Sequence, residues 1–591
     1  MFLLFFCSPA KGLPVDIDAS LRELAASDKW HRLLQLKSGK PINTNTDLYL
    51  SQAASPYEEV VLTYQLLLSK HPTSCRYPAR ARLIAAALDI GLSVLHTAEC
   101  QEYQSFLDNF PVDSVYLIYT SENVTQASSM MGHVMLRADG VNKDGLEVQH
   151  GITFFTELEG LNVPKIMWQS LVTGKAGIFQ IAPYAPFVAH YVNEEQRNVY
   201  EYPINIDKQD RLLLRDIIWE FGRTQAAYYF HTYNCATLTQ AMLGVLEPTM
   251  MPSAGDWITP LDVVKAAKEA DVLQDASLRP SVEWRIKLLS RLIPSSRKKS
   301  LVTELKADVF PTIEKDSGKQ QAFEFHYVKA YLDFMNAMGS APREKQNNII
   351  NSLNERFPEL AESFIDVGDF KNPLNTPNDG QLHLGLTYQN VDSEAAITFR
   401  LFPVNNTIYD DNRNFYGENV LILSDLQFRI EHDSDLLIDH FTIYNMQTIN
   451  DFDSEFRRFS SAFYVGVDRI YQRNGDRKLS GIVRGGIGVS KVFSTNFGIY
   501  SLFQVSSGFR ADAFIMAEPE LGAYVYYKDY KLVTKGIARY NAFNNRDWTY
   551  DTEISLISFL NSNVSVSANV GIFSGLKKQV QEVSLNVHYG F

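Results

Sequence analysis

The chain has 591 residues, with 55 Lys and Arg against 68 Asp and Glu and a formal charge of −13. That balance excludes the basic face of a nucleic-acid binder, and the length exceeds what one hydrophobic core organises. No stretch approaches the ~20 consecutive apolar residues that a membrane-crossing helix needs, so any crossing has to be made by strands.

In chain order, MFLLFFCSPAKG is an apolar run followed by small residues. It reads as a secretory leader over 1–16 with cleavage near Ala10. It lacks the basic flank of such a leader, which a start further upstream would supply. Cys7 belongs to this leader, and the bulky Leu4, Phe5 and Phe6 before it are wrong for lipidation. Residues 17–110 carry apolar side chains at three- and four-residue spacing and predict helices. Near Pro111 the period changes to two. VYLIY (115–119), GHVMLRA (132–138) and LEVQHGITFF (146–155) predict strands, and YPINIDKQDRLLLRDIIWEFGR and NCATLTQAMLGVL predict amphipathic helices after them. Residues 111–255 are therefore expected to form an α+β domain.

Residues 256–372 return to helical spacing. They include a basic stretch (Arg279, Arg285, Lys287, Arg291, Arg297, Lys298, Lys299) that reads as a solvated helix face. The functional alternative is contact with the anionic headgroups of outer-membrane lipid. FKNPLNTPNDG (370–380) is a turn-rich linker into the last region, 373–591. There, twelve segments alternate apolar and polar residues: 381–390, 394–403, 417–432, 434–448, 456–472, 477–493, 496–510, 516–527, 530–543, 547–561, 563–574 and 579–591. Each is long enough to span a bilayer at a tilt, and the even number suits a closed antiparallel barrel. The final QVQEVSLNVHYGF resembles the closing strand of a bacterial outer-membrane β-barrel. Its terminal aromatic resembles the signal read by the barrel-insertion machinery, an expected partner. The resemblance implies the outer membrane of a Gram-negative bacterium, with the α+β domain in the periplasm.

Cys75 and Cys100 are the natural disulfide pair in an oxidising compartment, which leaves Cys235 as a thiol. A lone cysteine is usually a small buried hydrophobe. This one follows a turn-favouring Asn234 and opens an apolar-periodic helix, where backbone N–H groups and the helix dipole favour thiolate and can bind an oxyanion. His133 lies inside an apolar strand that otherwise suits an imidazole poorly. If the hairpin turns near Val141 and Asn142, His150 lies opposite it and can fix the tautomer of a base acting on Cys235. Beside the cysteine, His231, Tyr233 and Asn234 are pocket or oxyanion candidates, while His96 and His190 read as structural. No metal-ligand spacing, phosphate loop or nucleotide fingerprint is present, so no cofactor is expected.

Base histidine on a strand, then nucleophilic cysteine at a helix start, is the reverse of papain order. It resembles the permuted papain-like NlpC-type fold, also used by lecithin retinol acyltransferase. SSMMGHVMLR, GKAGIFQIAPYAPFVAHYVNEEQRNVYEY and YYFHTYNCATL are more closely similar to the bacterial envelope family of the N-terminal periplasmic domain of the lipoprotein N-acyltransferase Lnb. By motif, the resemblance implies Cys235 as nucleophile and His133 as base; His150 rests on hairpin geometry alone. The expected function is a membrane-anchored periplasmic thiol acyltransferase or hydrolase acting on a lipid or lipoprotein acyl group. A cell-wall peptide amidase or endopeptidase, with peptidoglycan as substrate, is the alternative enzyme, and a barrel-anchored binding protein without turnover is the alternative class.

Overall fold

The computed structural model describes residues 14–44, 46–95, 99–123, 131–157, 165, 168–250, 257–313, 319–339, 343–361, 372–390, 394–414, 417–431, 436–453, 456–471, 477–510, 513–542, 548–575 and 579–591. Of the expected leader 1–16, residues 1–13, with Cys7 and Ala10, lie outside the described residues, as does His96, and Val15 begins the helix Val15–Ala26. The chain folds as two compact units: residues 1–120, 133–189 and 200–278 form the first, and 121–132, 190–199 and 279–591 the second.

The helices of 17–110 are thus not a separate domain from the α+β part. Buried charge ties them to it. Arg80, on the Pro78–Ala87 helix, is fully buried and donates to Glu220 (2.6 Å), to Glu59 (2.8 Å) and to the Leu48 carbonyl (2.8 Å). Glu220 belongs to the Lys208–Gly222 helix of the α+β part. Cys75 and Cys100 are joined in a disulfide across 25 residues, a closure worth roughly 3.5 kcal/mol on the loop-entropy estimate. Trp219 Nε1 donates to the Cys75 carbonyl at 2.8 Å and fastens the bridge to the same helix. The stretch 256–372 is also divided: helix Pro260–Glu269 belongs to the first unit and the helices from Val282 onward to the second.

The first unit's main sheet has six strands in the order Ser277–Arg279, Val199–Pro203, Ser114–Thr120, His133–Val141, Glu147–Phe155 and Ile178–Pro183. Helix Cys235–Leu246 packs on the His133–Val141 and Glu147–Phe155 strands and on the short N-terminal helix Asp28–Leu33. All twelve of its residues are buried. Covered on every side, it is apolar all round rather than striped, which explains the Ala, Gly, Thr and Leu content of NCATLTQAMLGVL.

In the second unit, helix Val282–Leu292 packs on helix Lys319–Ala337. Much of the basic stretch is spent inside this bundle: Arg285 pairs with Asp333 (2.9 Å), Lys287 with Glu283 (2.6 Å) and Arg297 with Glu324 (2.6 Å). The remainder is a closed antiparallel barrel of twelve strands, from Gln381–Gln389 to Gln579–Gly590. The first strand pairs with the last, Gln381 opposite Gly590 through Gln389 opposite Glu582. Closure leaves no unpaired edge for lipid to meet. Alternate residues face out and are apolar, as with Leu384, Leu386, Ile499, Phe503, Leu585 and Val587, while their neighbours are buried inside. In the Gly417–Glu431 strand the inward parity changes from Val420 and Ile422 to Asp425 and Arg429 across Ser424, whose φ of +59° marks a bulge.

Candidate active site

Asn234 is the N-cap of the Cys235 helix. Its Oδ1 accepts from the Thr237 amide (3.0 Å), and its Nδ2 donates to the carbonyls of Phe230 (2.8 Å) and Ile258 (3.0 Å). Those bonds hold the first helical turn and commit both amide hydrogens, so Asn234 is a fastening residue rather than an oxyanion donor. Tyr233 is likewise structural. Its buried hydroxyl donates to Gln35 Oε1 at 2.6 Å, and its ring packs edge-on against Phe154, 5.6 Å between centroids. His231 is half-buried between the rings of Trp257 (5.4 Å) and Tyr229 (6.4 Å).

The side chain that meets the cysteine is Tyr228. Its buried hydroxyl is hydrogen-bonded to both the Cys235 thiol and the Cys235 backbone amide. The phenol's pKa is pushed well above its ordinary value, first by burial and then by its closeness to Cys235. It therefore stays protonated and can donate to a thiolate or to an oxyanion beside it. Sequence reasoning passed over Tyr228. The double tyrosine of YYFHTYNC was the available signal.

His133 begins its strand, and Gly132 before it has φ +83°, a left-handed conformation that favours glycine. This explains why a Gly-His step enters the strand. His133 Nε2 lies 2.7 Å from Thr153 Oγ1 on the neighbouring strand. Phe154, the next residue, stacks 5.4 Å from Tyr228. Thr153 thus engages the histidine on one face of the strand, while Phe154, on the other face, supports the tyrosine beside Cys235. Gly177 lets this end of the sheet close up: a Cβ there would sit 2.3 Å from the Phe154 ring and 2.7 Å from the Ala226 carbonyl. Residues 175–176 pair with Ala227 and Tyr228, which fixes Tyr228 at the Phe155–Ile178 end of the sheet, where His133 also begins.

The expected partnership of His133 with His150 is not present. The hairpin turns over Asn142–Leu146, with the Asn142 amide donating to the Leu146 carbonyl (2.9 Å) and Gly145 at φ +78°. This register places Ala138 opposite His150. The shift from the expected register is an odd number of residues, and an odd shift turns a side chain to the other face. His150 therefore lies five residues along the strand from His133 and on the opposite face. It packs on Phe110, 5.0 Å between ring centroids, and burial lowers its pKa. His190 pairs with Glu194 (2.9 Å) and Glu195 (3.2 Å).

The Arg and Glu residues of the motifs serve structure. Arg137 of GHVMLR pairs with Glu201 of the YEY run (2.9 Å) and Asp139 (2.9 Å) and stacks over Tyr116 at 3.8 Å. Tyr184 donates to Glu201 at 2.8 Å. Among the described residues no group of His, Cys, Asp and Glu is arranged to hold a metal ion.

Residues 102–270 match the family model of the Lnb N-terminal periplasmic domain, and residues 375–589 match that of a domain of unknown function, DUF7840. No curated protein matches the chain. Among solved structures, the NanC porin aligns at 6% identity over 36% of this chain and 100% of its own, with a TM-score of 0.25. The KdgM porin aligns at 11% identity over 36% and 99%, with a TM-score of 0.23. The COG4313 outer membrane channel from Pseudomonas putida F1 aligns at 10% identity over 39% and 100%, with a TM-score of 0.24. The family match covers the Gly-His and Asn-Cys motifs, and the closed barrel has an apolar exterior. The chain joins a region that matches the Lnb N-terminal periplasmic domain, residues 102–270, to a closed barrel with an apolar exterior, the architecture of an outer-membrane protein.

Proposed function

We propose that the chain is a barrel-anchored periplasmic thiol acyltransferase or hydrolase of permuted papain-like type, working through Cys235 and His133 on a lipid or lipoprotein acyl group. The observation that carries this reading is the bonding of Cys235, at a helix start, to the protonated hydroxyl of Tyr228. The His133–Thr153 pair at the same end of the sheet supplies the base.

The Cys235 Sγ–H gives its proton to His133, and the thiolate forms an S–C bond with the ester or amide carbonyl. The Tyr228 hydroxyl donates to the oxyanion. As the tetrahedral intermediate collapses, the C–O or C–N bond breaks, and the protonated imidazole passes its proton to the departing alcohol or amine. Water or an acceptor amine then gives a proton to the imidazole and attacks the thioester, releasing the acyl product and restoring the thiol.

The test is to treat the full-length protein in outer-membrane vesicles with a thioester-forming acyl probe and locate the adduct by mass spectrometry. The adduct is expected on Cys235, and Cys235→Ala, His133→Ala and the double variant are expected to fall to one common floor, because the pair acts as a unit. Unchanged turnover in Cys235→Ala would establish the domain as a binder.

A further inference from the structure

We infer that the barrel is a sealed anchor and not a pore, because a packed apolar core fills its lumen at the end where the chain enters. The lumen of an outer-membrane channel is lined by polar side chains and water. Here Phe402, Ile408, Ile449, Tyr500, Leu502 and Tyr524 all point inward, are at most 7% exposed, and pack into a single cluster. Phe402, Ile449, Tyr500 and Tyr524 come from four different strands, so the cluster spans the lumen rather than lining one wall. All six lie close to one set of strand ends. Those ends carry the segment 407–414, the turns 495–496 and 528–529, and the junction where the Phe591 amide bonds the Gly380 carbonyl (2.9 Å).

Ile408 is delivered by a segment folded into the barrel, and buried polar contacts lock that segment in place. Thr407 donates to Asp410 through its amide (2.7 Å) and its hydroxyl (2.8 Å). Asn412 Nδ2 donates to Glu418 at 2.7 Å, and its amide donates to the Tyr526 hydroxyl at 3.0 Å. Lys531 Nζ bonds the Asp410 carbonyl and Glu418, both at 2.8 Å, with Lys531 and Glu418 at most 1% exposed. A buried ion pair of this kind holds only while each partner keeps the other compensated. The loop is therefore part of the barrel's interior, not a flap over it. Beyond the core the lumen opens into a polar chamber of about 290 Å³ bordered by Arg400, Arg429, Glu553 and Glu582. Water can fill that chamber and a second polar cavity of about 390 Å³ at the chain-entry end, bordered by Gln381, Asp410 and Asp529. Between the two stand the apolar layer and the buried, closely packed rings of His383 and His588 (3.8 Å between centroids).

The full-length protein in planar lipid bilayers tests this, with the combined variant Tyr500→Ala, Leu502→Ala and Tyr524→Ala beside it. All three side chains face the lumen, so the lipid face is unchanged, and heat-modifiable migration reports whether each barrel has folded. The wild type is expected to give no unitary conductance steps, and the folded triple variant is expected to give them. Should the triple variant not fold, replacing 407–412 by a Gly-Ser segment of equal length opens the same path. Steps in the wild type overturn the inference, and so does a folded variant that stays silent.

Discussion

His133 Nε2 and Thr153 Oγ1 lie 2.7 Å apart on adjacent strands. Thr153 thus occupies the orienting position beside the base in the proposed thiol site. Thr153→Val removes the hydrogen bond at nearly constant shape. A net bond of about 1 to 1.5 kcal/mol corresponds to an activity loss of about tenfold. Thr153→Ser is expected to retain most turnover, and His150→Ala is expected to leave the rate unchanged. Steady-state turnover of the three variants decides between the two orienting candidates.

Tyr228 offers a second handle. Its hydroxyl donates to the thiolate, so Tyr228→Phe should raise the Cys235 pKa. Charge-assisted bonds contribute about 1.5–3 kcal/mol, or about one to two pKa units at 1.36 kcal/mol per unit. The pH profile of iodoacetamide alkylation should move toward the ordinary cysteine value of about 8.5 in the variant.

Arg80 stands fully buried between Glu59 and Glu220. Removing the cation alone strands two carboxylates in a place where burial already raises the Glu220 pKa. Arg80→Leu should destabilise the first unit by about 3–5 kcal/mol. Replacing all three residues with apolar ones of similar volume should recover much of that, as read by thermal unfolding of the two variants.

His326 makes the second unit acid-sensitive. Burial first, then the nearby Lys329 and Arg285 charges, push its pKa down to about 4. The unfolded chain takes up the proton near the ordinary value of about 6.5, whereas the folded chain stays neutral to about 4. Between these limits the unfolded state binds more protons, so stability falls as the pH falls. His326→Gln should flatten this part of the dependence. The gap between wild-type and variant unfolding midpoints, measured from pH 7 to pH 4.5, should shift in favour of the variant as acid is added.

The Gln579–Gly590 strand closes the barrel against Gln381–Gln389. Deleting 579–591 leaves two unpaired edges that lipid cannot satisfy. The truncated chain should be degraded or remain outside the membrane fraction, and outer-membrane fractionation with heat-modifiable migration checks this.

The barrel was legible because its strands alternate apolar and polar residues over most of their length, with lipid enforcing the parity, even where a bulge such as Ser424 resets it. The segment 516–527 begins at Ala513, and 456–472 shortens to Ser460–Tyr471. The inward fold of 407–412 was not legible, since Asp410 and Asn412 find partners such as Lys531 and Tyr526 from distant strands. Cys235 at a helix start and His133 at a strand start were readable from local pattern, whereas the pairing of His133 with His150 failed on a turn. A hairpin loop a few residues longer than assumed changes the register by an odd step, and nothing local in HVMLRADGVNKDGLEVQH separates the two. Tyr228 was hidden for a related reason, because its contact with Cys235 depends on its pairing with residues 175–176, some fifty positions earlier.

The pairing of the first barrel strand with the last also sets an order of assembly. The two strands are separated by almost the whole of the C-terminal region, so their ladder is the contact of greatest sequence span in the barrel and the last that synthesis makes available. The thiol, its histidine and the disulfide all lie upstream of residue 279. The periplasmic unit can be complete, with Cys75 and Cys100 oxidised, while the barrel is still an open sheet awaiting insertion. In that interval the Cys235 thiol exists without its anchor, kept from solvent by its burial beside Tyr228.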